Sequence, residues 1–186
     1  MKYPENFILQ KSGTILVIID MQEKLASAMN KKELIVRNCL NLIEAVKLLS
    51  IPFILTEQYP KGLGPTVSEI KDALPSHEPI KKMAFDCCKE EDFLEKINSS
   101  HKKQVLLSGM ETHICVLQTC LSLLSQGFAV HVVGDAVCSR KKTDFRTGIE
   151  MMRSAGAVIT GTETALFQLL EKAGTDDFRE ISERIK

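Results

Sequence analysis

The sequence predicts an α/β protein: an open parallel β-sheet with helices on both faces, three layers in all. Three observations predict it. Short apolar, β-branched runs alternate along the chain with longer segments of helical period. The first run, Thr14-Ile15-Leu16-Val17-Ile18-Ile19, is apolar on both faces, as a strand buried in the middle of a parallel sheet must be. No repeat, linker or low-complexity tract interrupts the alternation, so residues 1–186 read as one domain, long enough for one well-buried core.

The elements follow in order. After the first strand, residues 34–49 carry Leu34, Ile35, Leu40, Leu42, Ile43, Val46 and Leu49, the apolar stripe of a helix packed on the sheet. Residues 52–56 form a second strand, and 105–107, 130–133 and 157–159 give three more, each leading into a helical pattern such as 114–125. Strand then helix, repeated, requires right-handed crossovers. The stretch 78–88 has no clear period and is left irregular.

Composition narrows the function. Lys plus Arg and Asp plus Glu each total 24, so the formal net charge is zero. That balance lacks the basic footprint of a nucleic-acid or anionic-membrane binder. No apolar stretch is long enough to span a bilayer, and the N-terminus lacks a signal peptide's apolar core, so a cytoplasmic location is expected. Six cysteines in such a chain are expected as thiols. They form no CxxC pair, and the four histidines are scattered, so no metal and no cofactor is expected.

In open α/β sheets ligands bind beyond the carboxyl ends of the strands. The residues there are Asp20, 56–58, 109–115 and Asp135. Two roles fit Asp20: a cap for the next turn, or a carboxylate placed in the crevice for proton transfer. A buried carboxylate needs a cation, which Lys81 or Lys82 can supply. Two roles also fit Cys115, a small buried hydrophobe or a nucleophile. It opens a helix, where free N–H groups and the dipole favour thiolate and can hold an oxyanion. Cys39, Cys120 and Cys138 read as inert core; Cys87 and Cys88 stay undecided.

Taken in order, ILVIIDMQ at Asp20, KMAFDCC at Lys82, GMETHICV at Cys115 and the later VVGDAVCSR resemble the isochorismatase-like cysteine hydrolases, over roughly residues 13–170. The stretch TEQYPKGLGPT is similar to the isochorismatase domain-containing protein branch. The resemblance implies a Rossmann-like fold, a catalytic triad of Asp20, Lys82 and Cys115, and a cis peptide at Met110–Glu111. It also implies an oxyanion hole from the N–H groups of Glu111 and Cys115, and assembly as a homo-oligomer. Lys82 is preferred over Lys81 because the family's lysine is followed three places on by an aromatic, here Phe85. The implied reaction is attack of the Cys115 thiolate on a carbonyl and hydrolysis of the resulting thioester.

Departures from the family limit the substrate. The metal-holding Asp-x-His-x-His of nicotinamidases is missing, with Gln58-Tyr59-Pro60-Lys61 in that region. Isochorismatases that act on a vinyl ether lack the cysteine that this chain has. The expected ligand is therefore a small molecule with an amide-like C–N bond, in a pocket formed by Gln58, Tyr59 and Phe85 with Gln22 and His113. Competing roles are a binding protein that keeps the hydrolase fold, and redox chemistry of Cys115 with Cys87 or Cys88.

Overall fold

The computed structural model describes residues 6–74 and 76–185. A six-stranded sheet forms its frame: β1 (Thr14–Ile19), β2 (Phe53–Gln58), β3 (Ile80–Lys82), β4 (Gln104–Met110), β5 (Ala129–Cys138) and β6 (Val158–Thr160). The strand order is β3-β2-β1-β4-β5-β6, and every pairing is parallel. All six residues of β1 are buried, because both faces of the sheet are covered.

The pleat divides those residues between two cores. Leu16 and Ile18 join Cys39, Leu42, Ile43 and Val46 of α2 (Lys32–Leu48) and Leu166 and Leu169 of α8 (Thr162–Leu170). Ile15, Val17 and Ile19 join Phe93 and Ile97 of α5 (Glu91–Ser99), Cys120 and Leu123 of α6 (Leu117–Ser125), and Ile149 and Met152 of α7 (Lys142–Ser154). The short helices α1 (Glu23–Ser27), α3 (Pro60–Leu63) and α4 (Ser68–Ala73) and the C-terminal α9 (Asp176–Arg184) complete the chain. The three-layer expectation holds.

Two differences from the sequence reading bear on the site. Residues 80–82, within the stretch left irregular, form an edge strand that pairs Gln58 with Lys82. Three residues containing two lysines carry no strand signal; their pairing with β2 makes them one. The helix expected at 114–125 is also shorter, because Thr112–Val116 forms a π-helical turn ahead of α6.

The winding places a crevice. The chain moves outward from β1 to β2 and β3, then returns to β4 on the other side of β1 and continues outward to β5 and β6. The carboxyl ends of β1 and β4 thus flank the topological switch point, where open α/β sheets bind ligands. Gly109 makes the close approach there possible. It pairs with Ile19, has φ of +118°, and a Cβ at its position would lie 2.0 Å from the Ile19 carbonyl oxygen.

Candidate functional site

Asp20 is the first residue past β1. It is fully buried and adopts φ of +49°, a left-handed conformation that Asp tolerates better than most residues. Its Oδ1 accepts a hydrogen bond from Thr56 Oγ1 at 2.7 Å, and its Oδ2 lies 2.8 Å from Lys82 Nζ. Both side chains of this ion pair are wholly buried. Lys82 donates its well-aligned hydrogen bond to Gln58 Oε1 at 2.7 Å, with longer ones to the carbonyls of Ala84 and Phe85. Its contact with Asp20 is an ion pair at hydrogen-bonding distance.

Edge strand β3 is what brings the lysine in. Because β3 runs parallel to β2 with Lys82 opposite Gln58, alternation turns Lys82 inward and leaves Lys81 exposed. Burial works against the charge on Lys82. The Asp20 carboxylate beside it offsets this, so the ammonium is held above the ordinary lysine value.

Cys115 lies in the π-helical turn, 4% exposed, with its thiol in contact with the Asp20 carboxylate. The Val116 N–H reaches back five residues to the Glu111 carbonyl at 3.3 Å, which closes this wide turn. On its far side Gly148 of α7 lets the helix sit against Thr112, since a Cβ there would lie 3.0 Å from the Thr112 carbonyl oxygen. A helix start favours thiolate at Cys115, but its surroundings act the other way. Burial pushes the thiol up, the Asp20 charge pushes it further, and Lys82 offsets only part of this. Its proton has an acceptor beside it instead.

The other cysteines are buried thiols. Cys39, Cys87, Cys88, Cys120 and Cys138 are each pushed up to about 12, by burial first. Cys87 sits nearest the ion pair, with its N–H donating to Thr119 Oγ1 at 3.0 Å.

The Met110–Glu111 peptide is cis. The buried Glu111 carboxylate points away from Cys115, toward Arg140, whose Nε lies 3.1 and 3.2 Å from its two oxygens and whose backbone N–H donates to it at 3.1 Å. Of the expected pocket residues, Gln22 and Gln58 are spent on structure. Gln22 donates to the carbonyls of Gln58 and Gly64 and accepts from the Gln58 N–H. The Gln58 amide joins Lys82 Nζ to the Met83 carbonyl. Both orient the loop and the lysine, a role that the sequence reading missed; Thr56 does the same for Asp20. Tyr59 and Phe85 are about half exposed at 47% and 53%, so their rings are free to meet a ligand. His113 is turned aside, with Nδ1 2.9 Å from Ser139 Oγ and Nε2 3.7 Å from Asp144.

Among the described residues, no three His, Cys, Asp or Glu side chains converge as a metal site would need. No helix among them is long and apolar enough to cross a membrane. A cavity of about 380 Å³ lies at the carboxyl end of β5, and none of Asp20, Lys82 or Cys115 lines it.

Comparison with known proteins identifies this arrangement. Residues 14–164 match the isochorismatase domain. A secreted isochorismatase effector, Isc1, from Phytophthora sojae is 38% identical over 94% of this chain and 85% of its own. The isochorismatase domain-containing protein 2 of Danio rerio is 38% identical over 93% of this chain and 87% of its own. Among solved structures, the MAR1 ribonuclease of Caenorhabditis elegans superposes with a TM-score of 0.89 at 38% identity, covering 96% of this chain and 92% of the other. The YcaC gene product of Escherichia coli, an octameric hydrolase of unknown specificity, superposes with a TM-score of 0.89 at 25% identity, covering 95% and 90%. A crevice built at the switch point of a six-stranded parallel sheet agrees with these matches: the chain belongs to the isochorismatase family, whose fold is that of a hydrolase.

Proposed function

We propose that the protein is a cysteine hydrolase that cleaves an amide-like C–N bond of a small molecule without a metal, using Cys115 as nucleophile, Asp20 as general base and acid, and Lys82 as their counterion. The observation that carries this reading is the wholly buried 2.8 Å contact of Lys82 with Asp20, with the Cys115 thiol against the same carboxylate. A turn-capping Asp has no need of a buried lysine.

The sequence of steps conserves charge. Asp20 takes the Cys115 proton as sulfur bonds to the substrate carbonyl carbon. The carbonyl oxygen becomes an oxyanion held by the N–H groups of Glu111 and Cys115. Collapse breaks the C–N bond, and the leaving nitrogen takes the proton from Asp20. A water then gives a proton to Asp20 and attacks the thioester, and sulfur leaves and is reprotonated. Tyr59 and Phe85 supply an apolar rim. The zero net charge supports a small-molecule ligand over nucleic acid or a membrane surface, and the six free thiols support a reducing, cytoplasmic setting. The octameric YcaC and the exposed Tyr59, Met83 and Phe85 support a homo-oligomer.

The test is turnover of a panel of small amides and carbamoyl compounds with Cys115→Ala as the blank, and mass spectrometry of quenched reactions. An acyl adduct on the peptide containing Cys115 is expected. Turnover that survives in Cys115→Ala overturns the reading. The name of the C. elegans relative makes RNA the second substrate to try: RNA cleavage lost in Cys115→Ala, with no amide turned over, replaces the C–N assignment.

A further inference from the structure

The cavity at the carboxyl end of β5 stands apart from the crevice just described, and its chemistry is different. Its walls come from three segments: the start of α2, the end of β5 and the start of α7. At about 380 Å³ it falls within the size range of small-molecule sites. Leu34, Ile35, Val137 and Phe145 give it apolar walls.

Around those walls stand Lys31, Arg140, Lys142 and Arg146, against one lining carboxylate, Asp135. Asp135 is already engaged, its Oδ1 accepting from the Thr162 N–H and hydroxyl, each at 2.8 Å. Among the described residues, no carboxylate lies within ion-pair distance of Lys31, Lys142 or Arg146. Arg140 commits its Nε to Glu111. The nearby Asp144 faces His113 at 3.7 Å. The start of the 13-residue α7 opens here as well, and its N-cap, Lys141, makes no side-chain cap. Four cations converging on an apolar hollow, three without a counterion, are complementary to an anion with an apolar body.

We propose that this cavity binds a small organic anion, with its acidic group held by Lys31, Arg140, Lys142 and Arg146 and its aliphatic or aromatic body against Leu34, Ile35, Val137 and Phe145. The site is separate from the proposed catalytic crevice and does not depend on the reaction assigned there. Arg140 links the two regions, since the guanidinium that would meet the anion also holds Glu111, which caps the turn that carries Cys115 and lies four residues before it.

Benzoate is the probe, titrated calorimetrically into the full chain at low ionic strength. One saturable site per chain is expected. Binding weakens by roughly 10- to 100-fold in Lys31→Ala/Arg146→Ala, the range that loss of a charge-assisted hydrogen bond gives. Both residues are exposed, and an unchanged thermal midpoint confirms that the double variant is folded. Benzamide, the neutral analogue, and inorganic phosphate, which lacks the apolar body, bind more weakly than benzoate. Cys115→Ala binds benzoate as the parent does. The proposal fails if no saturable binding occurs, if the double variant binds as the parent does, if Cys115→Ala abolishes binding, or if benzamide or phosphate matches benzoate.

Discussion

Removing the Lys82 charge while leaving its volume should cost far more stability than removing a lysine normally does, and the cost should shrink when Asp20 is neutralised too. At 2.8 Å and an effective dielectric constant of about 20, Coulomb's law gives an attraction of about 6 kcal/mol for this pair. Each ion has lost its water, which costs several kcal/mol apiece, so the intact pair is close to neutral in its net effect on folding. Lys82→Met removes the attraction but leaves the Asp20 carboxylate buried with only neutral groups beside it, the Thr56 hydroxyl and the Cys115 thiol, and strands the Gln58 carbonyl that Lys82 had satisfied. The expected loss is about 3–5 kcal/mol. In Asp20→Asn/Lys82→Met neither charge is buried, and Asn tolerates the left-handed backbone at position 20. The double variant should be more stable than Lys82→Met alone, a coupling that independent sites do not show. Urea unfolding followed by circular dichroism measures all three variants. A loss below about 1 kcal/mol for Lys82→Met, as an exposed pair would show, or simple additivity in the double variant, refutes the reasoning.

Three further outcomes follow. Asp20→Asn should cut turnover by roughly 10²–10⁴-fold yet speed acrylamide labelling of Cys115 at pH 8, because the same carboxylate supplies the base and suppresses the thiolate; parallel losses in both assays contradict this. Five buried thiols are raised to about 12 from an ordinary value of 9.0, so the folded state holds protons that the unfolded chain releases. Their contribution is intact below pH 9 and is lost as pH rises toward 12, and a urea midpoint that stays flat from pH 8 to pH 11 refutes it. Gly109→Ala meets the Ile19 carbonyl at 2.0 Å with φ at +118°, so a loss above about 4 kcal/mol, or no soluble protein, is expected; a near-parent midpoint would show that the β1–β4 approach is not as tight as described.

How much of this was legible in the sequence depended on whether a residue's partner lay nearby along the chain. β1 was readable because its six apolar residues can satisfy only a strand covered on both faces. Asp20 was readable as a candidate because it follows directly on an apolar run, which puts it at a strand's carboxyl end, and Cys115 because it stands where a helical pattern begins after such a strand. Lys82 needed the family resemblance to separate it from Lys81, since three-residue β3 carries no periodicity and only its register against β2 turns one lysine inward. What opposes a thiolate at Cys115 was not legible, because a helix start favours thiolate while the opposing charge of Asp20 comes from 95 positions earlier. Gln22 and Gln58 were picked out as pocket residues, but their hydrogen bonds to backbone and to Lys82 depend on tertiary geometry. The basic cavity was invisible for the same reason, being assembled from residues 30–35 and 134–146.

The charge balance of the crevice bears on what Lys82 does in the proposed mechanism. A lysine beside a thiol is usually taken to draw off the proton and leave a standing thiolate. Here the crevice already holds one negative charge, on Asp20, and Lys82 balances it. A second anion on Cys115 would give the buried site a net charge of minus one, which burial resists. If the proton moves from sulfur to Asp20 as the substrate arrives, the crevice keeps the same net charge throughout, and Lys82 serves as counterion first to the carboxylate and then to the sulfur. On this reading the lysine has no proton to give, and its value raised above the ordinary lysine range is what the role demands. A thiol held this way is also protected, because a protonated sulfur at 4% exposure is a poor target for stray electrophiles and oxidants until a carbonyl is held against it.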